Sequence, residues 1–179
     1  MRNIFLVCLL LAGMMSASYA QPSETAGKEK MKIFEAWKGR WKGEGAMQAG
    51  PGEPKKTNVD ETIEYKLDGM ILLVEGIGIT PNQAGENKVV HHAMAILSFN
   101  QETKQYRFDT FLKDGKSTRA WFNVLENNQY QWGFDTPRGK IKYTIKIDTT
   151  ASTWNEIGEF SMDGNMWAKF FEMNLKKQN

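Results

Sequence analysis

The stretch Gly39-Arg40-Trp41-Lys42-Gly43-Glu44-Gly45 (residues 39–45) decides the fold, because it has the pattern of a strand that opens a β-barrel. Successive side chains of a strand alternate between its faces, so the three glycines and Trp41 share one face. Glycine in a strand typically marks a bend or the close approach of another group. We expect this strand to curl across the closed end of a barrel. Trp41 is then a structural plug near the last strand, with Lys176 or Lys177 across its ring.

Residues 1–20 have the organisation of a secretory signal peptide. Arg2 precedes an apolar run from Ile4 to Met15, and Ser18-Tyr19-Ala20 places small residues at the spacing of a cleavage site. The apolar run is too short to span a bilayer comfortably. We therefore expect a soluble mature chain that begins near Gln21 and is secreted or periplasmic.

Cys8, the only cysteine, lies inside this apolar run and would leave with it. It has no lipoprotein cleavage pattern before it, so no membrane anchor is expected, and the mature chain would have no disulfide or thiolate. About 159 residues remain (179 minus 20), which suit one domain spanning 21–179. Without Arg2 the charges are 22 basic and 21 acidic, so the balance gives no reason to expect nucleic acid or anionic membrane as a partner.

Residues 23–38 carry the one convincing helical pattern of the sequence. Ser23 can cap its start, and Met31, Phe34 and Trp37 recur at helical spacing. An apolar stripe of this kind needs a surface to cover. We expect the helix to lid one end of the barrel and to bury Phe34 and Trp37 there.

The rest of the chain is a succession of strand patterns separated by short turns. We predict strands at 41–48, 58–67, 70–79, 89–99, 105–113, 117–126, 129–135, 140–148, 153–162 and 166–175. Turns such as Asp68-Gly69, Asp114-Gly115 and Asp163-Gly164 join neighbouring antiparallel strands. Closing such a meander removes its exposed edges. The predicted fold is a single up-and-down antiparallel β-barrel of about ten strands, lidded by one N-terminal helix, rather than a sandwich.

Alternation within the strands identifies candidate lumen residues. Glu61 and Glu156 fall on otherwise apolar faces, where a carboxylate is costly unless it is paired or hydrated. Three interpretations of Glu61 stay open: a hydrated position at the rim, an internal ion pair with Arg107 or Arg119, and a ligand-binding or catalytic carboxylate. The predicted ligand-binding residues are Tyr65, Arg107, Phe108, Arg119, Trp132, Tyr143, Glu61 and Glu156. Strands 70–79 and 89–99 are apolar on both faces, so their inward face is not decided by the pattern.

The sequence offers few side chains that could bind a metal or a cofactor. His91 and His92 are adjacent on a predicted strand, so at most one of them faces the interior. Two histidines and no mature cysteine are too few for a structural zinc site. Phosphate-binding glycine loops, Gly-x-Ser-x-Gly and His-Glu-x-x-His are absent. We predict no metal and no cofactor, and we assign no catalytic residue.

Two motifs at the ends of the domain carry a resemblance. The first is Gly39-x-Trp41-x-Gly43-x-Gly45, and the second is Trp154-x-Glu156-x-Gly158-Glu159-x-Ser161-x-Asp163-Gly164-x-x-Trp167 with Phe170-Phe171-Glu172-Met173. Together they resemble the exported, uncharacterised lipocalin-like barrels of bacteria, which belong to the calycin group beside fatty-acid-binding proteins and the haem-carrying nitrobindins. The resemblance implies a barrel with a lumen. Nitrobindin-type barrels hold haem through a histidine close to the C-terminus, and residues 170–177 contain none here.

The predicted function is the binding of a small, largely apolar ligand in the barrel lumen, without catalysis. A cofactor-free enzyme of isomerase, lyase or hydrolase type, using a lumen carboxylate, is the alternative. A nitrobindin-like haem binder and a barrel filled by its own side chains are the further ones. A strongly raised carboxyl pKa inside a cavity would favour the enzyme.

Overall fold

The computed structural model describes residues 24–48, 50–81 and 84–179, with Glu24 described by its backbone alone. The predicted signal peptide (1–20) with Cys8, the expected mature start at Gln21 and the cap at Ser23 lie outside these residues and stay predictions. In the described part of the chain, no helix is long and apolar enough to cross a membrane.

Two short helical segments precede ten strands. An α-helix, α1 (Glu24–Met31), continues into a 3-10 helix, Lys32–Trp37, and a 3-10 turn at Leu67–Gly69 links the second and third strands. The strands are β1 (Gly39–Met47), β2 (Lys55–Lys66), β3 (Ile71–Pro81), β4 (Asn87–Asn100), β5 (Gln105–Leu112), β6 (Ser117–Val124), β7 (Gln129–Thr136), β8 (Gly139–Asp148), β9 (Thr153–Ser161) and β10 (Ala168–Lys177). The predicted strand bounds differ from these by three residues or fewer.

The strands form one closed sheet in which each strand pairs with its neighbours in sequence and β1 pairs with β10. All of these pairings are antiparallel, which confirms the predicted up-and-down barrel. Closure leaves neither β1 nor β10 with a free edge.

The glycine-rich strand β1 lies at the seam where the barrel closes, paired with β10. A side chain at Gly43 would overlap the carbonyl oxygen of Asn174 and come within 2.9 Å of the Leu175 Cα, so only glycine lets β10 cross this closely. Trp41 is 1% exposed and donates a hydrogen bond from Nε1 to the carbonyl oxygen of Trp37 at 2.7 Å. Lys177 Nζ lies 5.2 Å from the centre of its ring. The structural role predicted for this stretch is confirmed.

The two helical segments form the lid of the barrel. Phe34 and Trp37 are fully buried inside the barrel end, as predicted. The Phe34 ring meets Tyr130 at 5.5 Å between centroids, and the Trp37 ring meets Trp154 at 4.7 Å. Their apolar stripe therefore completes the core of the barrel instead of covering its outer face.

Side chains from five strands fasten the lid through its backbone carbonyl groups. The donors are Tyr106 to Lys30 O (2.8 Å), Tyr65 to Met31 O (2.8 Å), Tyr130 to Ile33 O (3.2 Å), Lys177 to Ala36 O (3.3 Å) and Trp41 to Trp37 O (2.7 Å). Carbonyl groups at the end of a helix lack partners within the helix, so the bonds to Ala36 O and Trp37 O satisfy acceptors at the end of the 3-10 segment. The other three bonds tie the middle of the lid to β2, β5 and β7. The lid is thus an integral part of the barrel, and this end is closed.

Candidate functional site

The barrel lumen has two halves that differ in how completely they are filled. Cross-strand partners share a face, so the register identifies the inward side chains. Beside the lid these are 0–5% exposed, and they comprise Trp41, Ile63, Leu72, Leu97, Phe122, Tyr130, Ile145, Ile147, Trp154 and Leu175. Toward the opposite end, which we call the mouth, the inward side chains of the same sheet are partly exposed, and they include Thr57, Val59, Ala93, Thr110, Phe134, Ile141, Phe160 and Phe171. The lumen is therefore solid at the lid and opens at the mouth.

Two carboxyl groups face the lumen between these halves. Glu61 lies on β2 beside Trp41 of β1, and Glu156 lies on β9 beside Met173 of β10. The two groups are close enough for the charge of Glu156 to raise the pKa of Glu61. Like charges in a poorly hydrated site cannot both ionise easily. The pair therefore holds at least part of its protons at neutral pH.

Glu156 is 7% exposed and is held by an aromatic neighbour. Trp132 donates a hydrogen bond from Nε1 to Glu156 Oε1 at 2.9 Å. Burial raises the pKa of Glu156 to about 7, while the indole N–H groups of Trp132 and Trp154 act in the opposite direction by favouring the carboxylate. Glu156 is therefore poised between its two protonation states near pH 7.

Glu61 occupies space that its cross-strand partner leaves free. A Cβ atom at Gly76 would overlap the Glu61 carboxyl group, with only 2.8 Å to its Cδ. The side chain borders the lumen, yet protein surrounds it closely enough that burial, and after it the charges of Glu156 and Asp60, raise its pKa to about 8. No described residue donates a hydrogen bond to it. Glu61 is consequently protonated for the most part at neutral pH.

Tyr143 completes the polar group of the lumen. Its ring stacks on Trp132 with 4.1 Å between centroids and 10° between planes. A Cβ atom at its partner Gly158 would lie 2.7 Å from Tyr143 Cε1, so glycine again makes the room. Burial raises the pKa of the phenol, with a smaller contribution from Glu156. Tyr143 is therefore a neutral hydroxyl at any physiological pH.

We call Glu61, Tyr143 and Glu156 the polar floor. Among the described residues, the side-chain polar atoms that are sealed from solvent without a partner are Trp37 Nε1 and Trp154 Nε1. Three other groups have no described protein hydrogen bond and yet are not sealed from solvent: the Glu61 carboxyl, the second oxygen of Glu156 and the Tyr143 hydroxyl. These atoms therefore border the open part of the lumen.

Six of the eight predicted site residues lie on the lumen face: Tyr65, Phe108, Trp132, Tyr143, Glu61 and Glu156. Phe108 packs against Trp132 with 5.0 Å between ring centroids and so belongs to the aromatic wall of the lumen. Tyr65 lies at the lid end, where its hydroxyl is already bonded to Met31 O.

Arg107 and Arg119 do not reach the lumen, which corrects the expectation that one of them pairs with Glu61. Their neighbours Phe108 and Ala120 are 5% and 4% exposed, so alternation turns both arginines to the outer face. There they flank Asp109, at 3.4 Å from Arg107 Nη2 and 2.9 Å from Arg119 Nε. The rim position considered for Glu61 is also wrong, because Glu61 lies inside, next to buried Trp41.

The register also shows which residues face inward on β3 and β4, the two strands whose sequences are apolar on both faces. On β3 the inward residues are Leu72, Val74, Gly76 and Gly78, and their partners on β4 are Leu97, Ala95, Ala93 and His91. His91 thus faces the lumen at the mouth, where burial lowers its pKa, and His92 bonds Glu75 on the outside at 2.8 Å. At most one histidine was expected to point inward, and one does. Within the described ranges, no group of three or more metal-ligating side chains comes together.

The sequence analysis did not identify the uncharged residues that shape the polar floor. Gly76 and Gly158 make room for Glu61 and Tyr143, and Phe171 packs against the Tyr143 ring at 5.9 Å between centroids. A glycine placed opposite a polar or aromatic residue of the neighbouring predicted strand was the available signal. Using it requires the register of the hairpin, and strand boundaries uncertain by a residue or two leave that register undetermined.

No family model and no curated protein matches this sequence. Among solved structures, the barrel is similar to that of Rv2717c from M. tuberculosis, with a TM-score of 0.59 and 10% sequence identity over 83% of this chain and 97% of that chain. At such low identity the likeness concerns the fold alone. The class that the fold defines is a closed, ten-stranded, antiparallel β-barrel with a lid at one end.

Proposed function

We propose that this chain is an exported, lipocalin-like binding protein that holds a small, largely apolar ligand in the mouth half of its lumen. The observation that carries the proposal is the change in burial along the barrel, from sealed side chains at the lid to partly exposed apolar ones at the mouth. A concave, mostly apolar site with a few convergent polar groups is the usual form of a small-molecule site. Affinity would come from burial of apolar ligand surface, at about 25 cal/mol per Å².

Entry of the ligand is assigned to the mouth because the other end is fastened. Opening the lid would break hydrogen bonds from five strands and expose Phe34 and Trp37, both fully buried. At the mouth, by contrast, the partly exposed wall is reached without disturbing the core.

The binding proposal is tested by filling the lumen. Ala93 faces inward near the mouth and Ala46 faces outward on β1, so Ala93→Trp and Ala46→Trp add the same side chain to opposite faces. Nile red, a neutral apolar fluorophore, is titrated against both variants and the unmodified protein. Loss of binding in Ala93→Trp alone supports the proposal, and equal binding in all three overturns it. Native mass spectrometry of protein purified from its own host then identifies any co-purified molecule.

Export is supported by the charged start, apolar run and small-residue site within residues 1–20. Intact-mass measurement of secreted or periplasmic material should give a chain that starts at or near Gln21. Exported protein that retains Met1 to Ala20 would contradict export by signal cleavage.

A second candidate, a cofactor-free acid–base enzyme, is favoured by one observation. Burial raises the pKa of Glu61 to about 8 and of Glu156 to about 7, and carboxyl groups tuned in this way serve as general acids and bases near neutral pH. Incubation of a co-purified ligand with the protein in D2O distinguishes the two functions. Deuterium uptake into carbon positions of the ligand that is lost in Glu156→Gln indicates the enzyme, and an unchanged ligand mass indicates a binder.

Haem binding is the third candidate and has its own test. Haem iron needs an axial donor such as histidine, and among the described residues His91 is the histidine that faces the lumen. Titration with haemin should give no sharp Soret band. A tight one-to-one complex that is lost in His91→Ala would make haem binding the leading function.

A further inference from the structure

The lumen contains acidic groups without a nearby basic partner. Below the rim, the charged side chains on the lumen face of the described strands are Glu61, Glu156 and Lys177. Lys177 lies at the lid end, where it donates to Ala36 O and sits over the ring of Trp41. Trp41 separates it from Glu61 along the sheet, since Trp41 pairs with Lys177 on one side and with Glu61 on the other.

A buried carboxyl group is costly unless hydrogen bonds or an opposite charge compensate it. Glu156 is more than nine-tenths buried, and one of its oxygens has Trp132 as a partner. Its second oxygen and the carboxyl of Glu61 have no hydrogen bond within the described residues. The indole N–H of Trp154 is near enough to Glu156 to favour its ionised form, but it is buried and makes no hydrogen bond of good geometry. The polar floor is thus left with acceptors that the protein itself does not pair.

We propose that the ligand is an amphiphilic amine, whose apolar part occupies the mouth half of the lumen and whose protonated ammonium group rests on the polar floor. This inference rests on the proposed binding function and names the ligand class. The ammonium group has three N–H donors. The polar floor offers three groups without a described protein hydrogen bond: the Glu61 carboxyl, the second oxygen of Glu156 and the Tyr143 hydroxyl.

Other ligand classes fit the floor less well. A carboxylate or phosphate would add a further negative charge to a site that already disfavours two. A divalent metal prefers six or more oxygen ligands in the case of calcium and near-ideal octahedral geometry in the case of magnesium, and the described residues gather no group of three or more metal-ligating side chains. An uncharged apolar molecule would displace water from the carboxyl groups without offering them a hydrogen-bond donor.

Amine binding and proton release are linked at this site. The charges that act on Glu61 are those of Glu156, across the lumen, and of Asp60, the preceding residue of β2, which faces outward. The adjacent lumen positions on β1 and β3 are Trp41 and Gly76, which do not titrate. An incoming ammonium favours the ionised carboxylate, so the proton of Glu61 passes to solvent. The complex forms with net release of protons, and its affinity rises between pH 6 and pH 9.

The test compares octylamine, octanol and octanoic acid by isothermal titration calorimetry at pH 8, because the three share one chain length. Octylamine should bind roughly tenfold tighter than octanol or more, and octanoate most weakly, since charge-assisted hydrogen bonds are the strong ones. Glu61→Gln should bring octylamine close to octanol and leave octanol unchanged. The matched control, Glu64→Gln, lies on the outer face of the same strand and should change neither.

Titrations of the unmodified protein in two buffers of different ionisation enthalpy give a second measurement that needs no variant. Proton release on octylamine binding supports the inference, and binding without release overturns it. Equal affinity for octanol and octylamine overturns the amine assignment and leaves the binding function standing. Failure of all three ligands and of Nile red to bind would overturn the binding function as well.

Discussion

Glu61 and Gly76 are cross-strand partners on β2 and β3, and the carboxyl group of Glu61 fills the space that a side chain at position 76 would take. Tyr143 and Gly158 stand in the same relationship on β8 and β9. In each pair, a glycine on one strand lets a polar side chain of the next lie flat against the barrel wall. The polar floor therefore depends on two residues that contribute only backbone.

Alanine should destabilise the protein at Gly43 and should leave its stability nearly unchanged at Gly76. Gly43→Ala meets the backbone of Asn174 and Leu175, which cannot yield without moving β10, so we expect a loss of about 1–3 kcal/mol of stability or more. Gly76→Ala meets the flexible end of Glu61, so stability should change by less than about 1 kcal/mol while the carboxyl group is displaced. Urea denaturation measures the first effect, and NMR titration of the Glu61 side-chain carboxyl measures the second. Equal losses of stability would contradict this assignment.

Stability should fall as pH rises above 5. The folded pKa values of Glu61 and Glu156, about 8 and about 7, lie above the ordinary value of 4.5. Between 4.5 and 8 the folded state binds more protons than the unfolded state, so the free energy of unfolding decreases with increasing pH. Thermal melting should give its highest midpoint near pH 5 and a midpoint several degrees lower at pH 8.5.

The control for this pH effect is the double variant Glu61→Gln with Glu156→Gln, whose melting midpoint should change much less over the same range. His91 acts in the opposite sense near pH 6, because its pKa is lowered. Its contribution is common to both proteins and cancels in the comparison. Parallel curves for the two proteins would show that the lumen carboxyls are not the source.

Trp41→Ala should destabilise the protein by about 3–5 kcal/mol, as expected for a buried aromatic side chain. Trp41→Phe keeps most of the apolar contact and loses the hydrogen bond to Trp37 O, so its cost should be smaller. Urea denaturation of both variants measures the difference. An unchanged midpoint for Trp41→Ala would place this residue outside the core.

Removal of the tyrosine hydroxyls that hold the lid should loosen it selectively. Tyr65→Phe and Tyr130→Phe each remove one hydrogen bond to a lid carbonyl, at a cost of about 1 kcal/mol. Hydrogen exchange followed by mass spectrometry should show faster exchange across α1 and the 3-10 helix that follows it. Tyr143→Phe is the control, because its hydroxyl makes no bond to the lid, and identical exchange in all three variants would argue against the fastening role.

The architecture could be predicted because its determinants are local. Turns such as Asp114-Gly115 and the alternation of Ile141, Tyr143, Ile145 and Ile147 mark strands without reference to any distant residue. The glycine at position 43 indicated the close approach of another strand, which the structure shows to be β10. The strand ends were less accurate, as at the start of β2, where Lys55 to Thr57 pair with β1 despite a polar sequence.

The site was predicted only in part, because it depends on which face of each strand turns inward. Trp132 was placed correctly since Tyr130, Trp132 and Phe134 share one face of their strand. On the predicted strand 105–113 the adjacent residues Arg107 and Phe108 were both assigned to the site, and only Phe108 faces inward. Arg119 was likewise assigned to the lumen and faces outward. The structure satisfies both arginines with Asp109 on the outside. The proximity of Glu61 to Glu156 joins β2 to β9 across the lumen, a relationship that no spacing in the sequence encodes.

The pairing of β1 with β10 has a consequence for the order in which the protein folds. Trp41 meets Lys177 at that seam, and Lys177 in turn reaches Ala36 of the lid, 141 residues away in sequence. Contacts of such long range form late and slow the folding of barrels. Until β10 has been made the seam cannot close, so a nascent chain leaves Trp41 incompletely covered and β1 and β9 with unpaired edges, the features that make partly folded chains prone to aggregation.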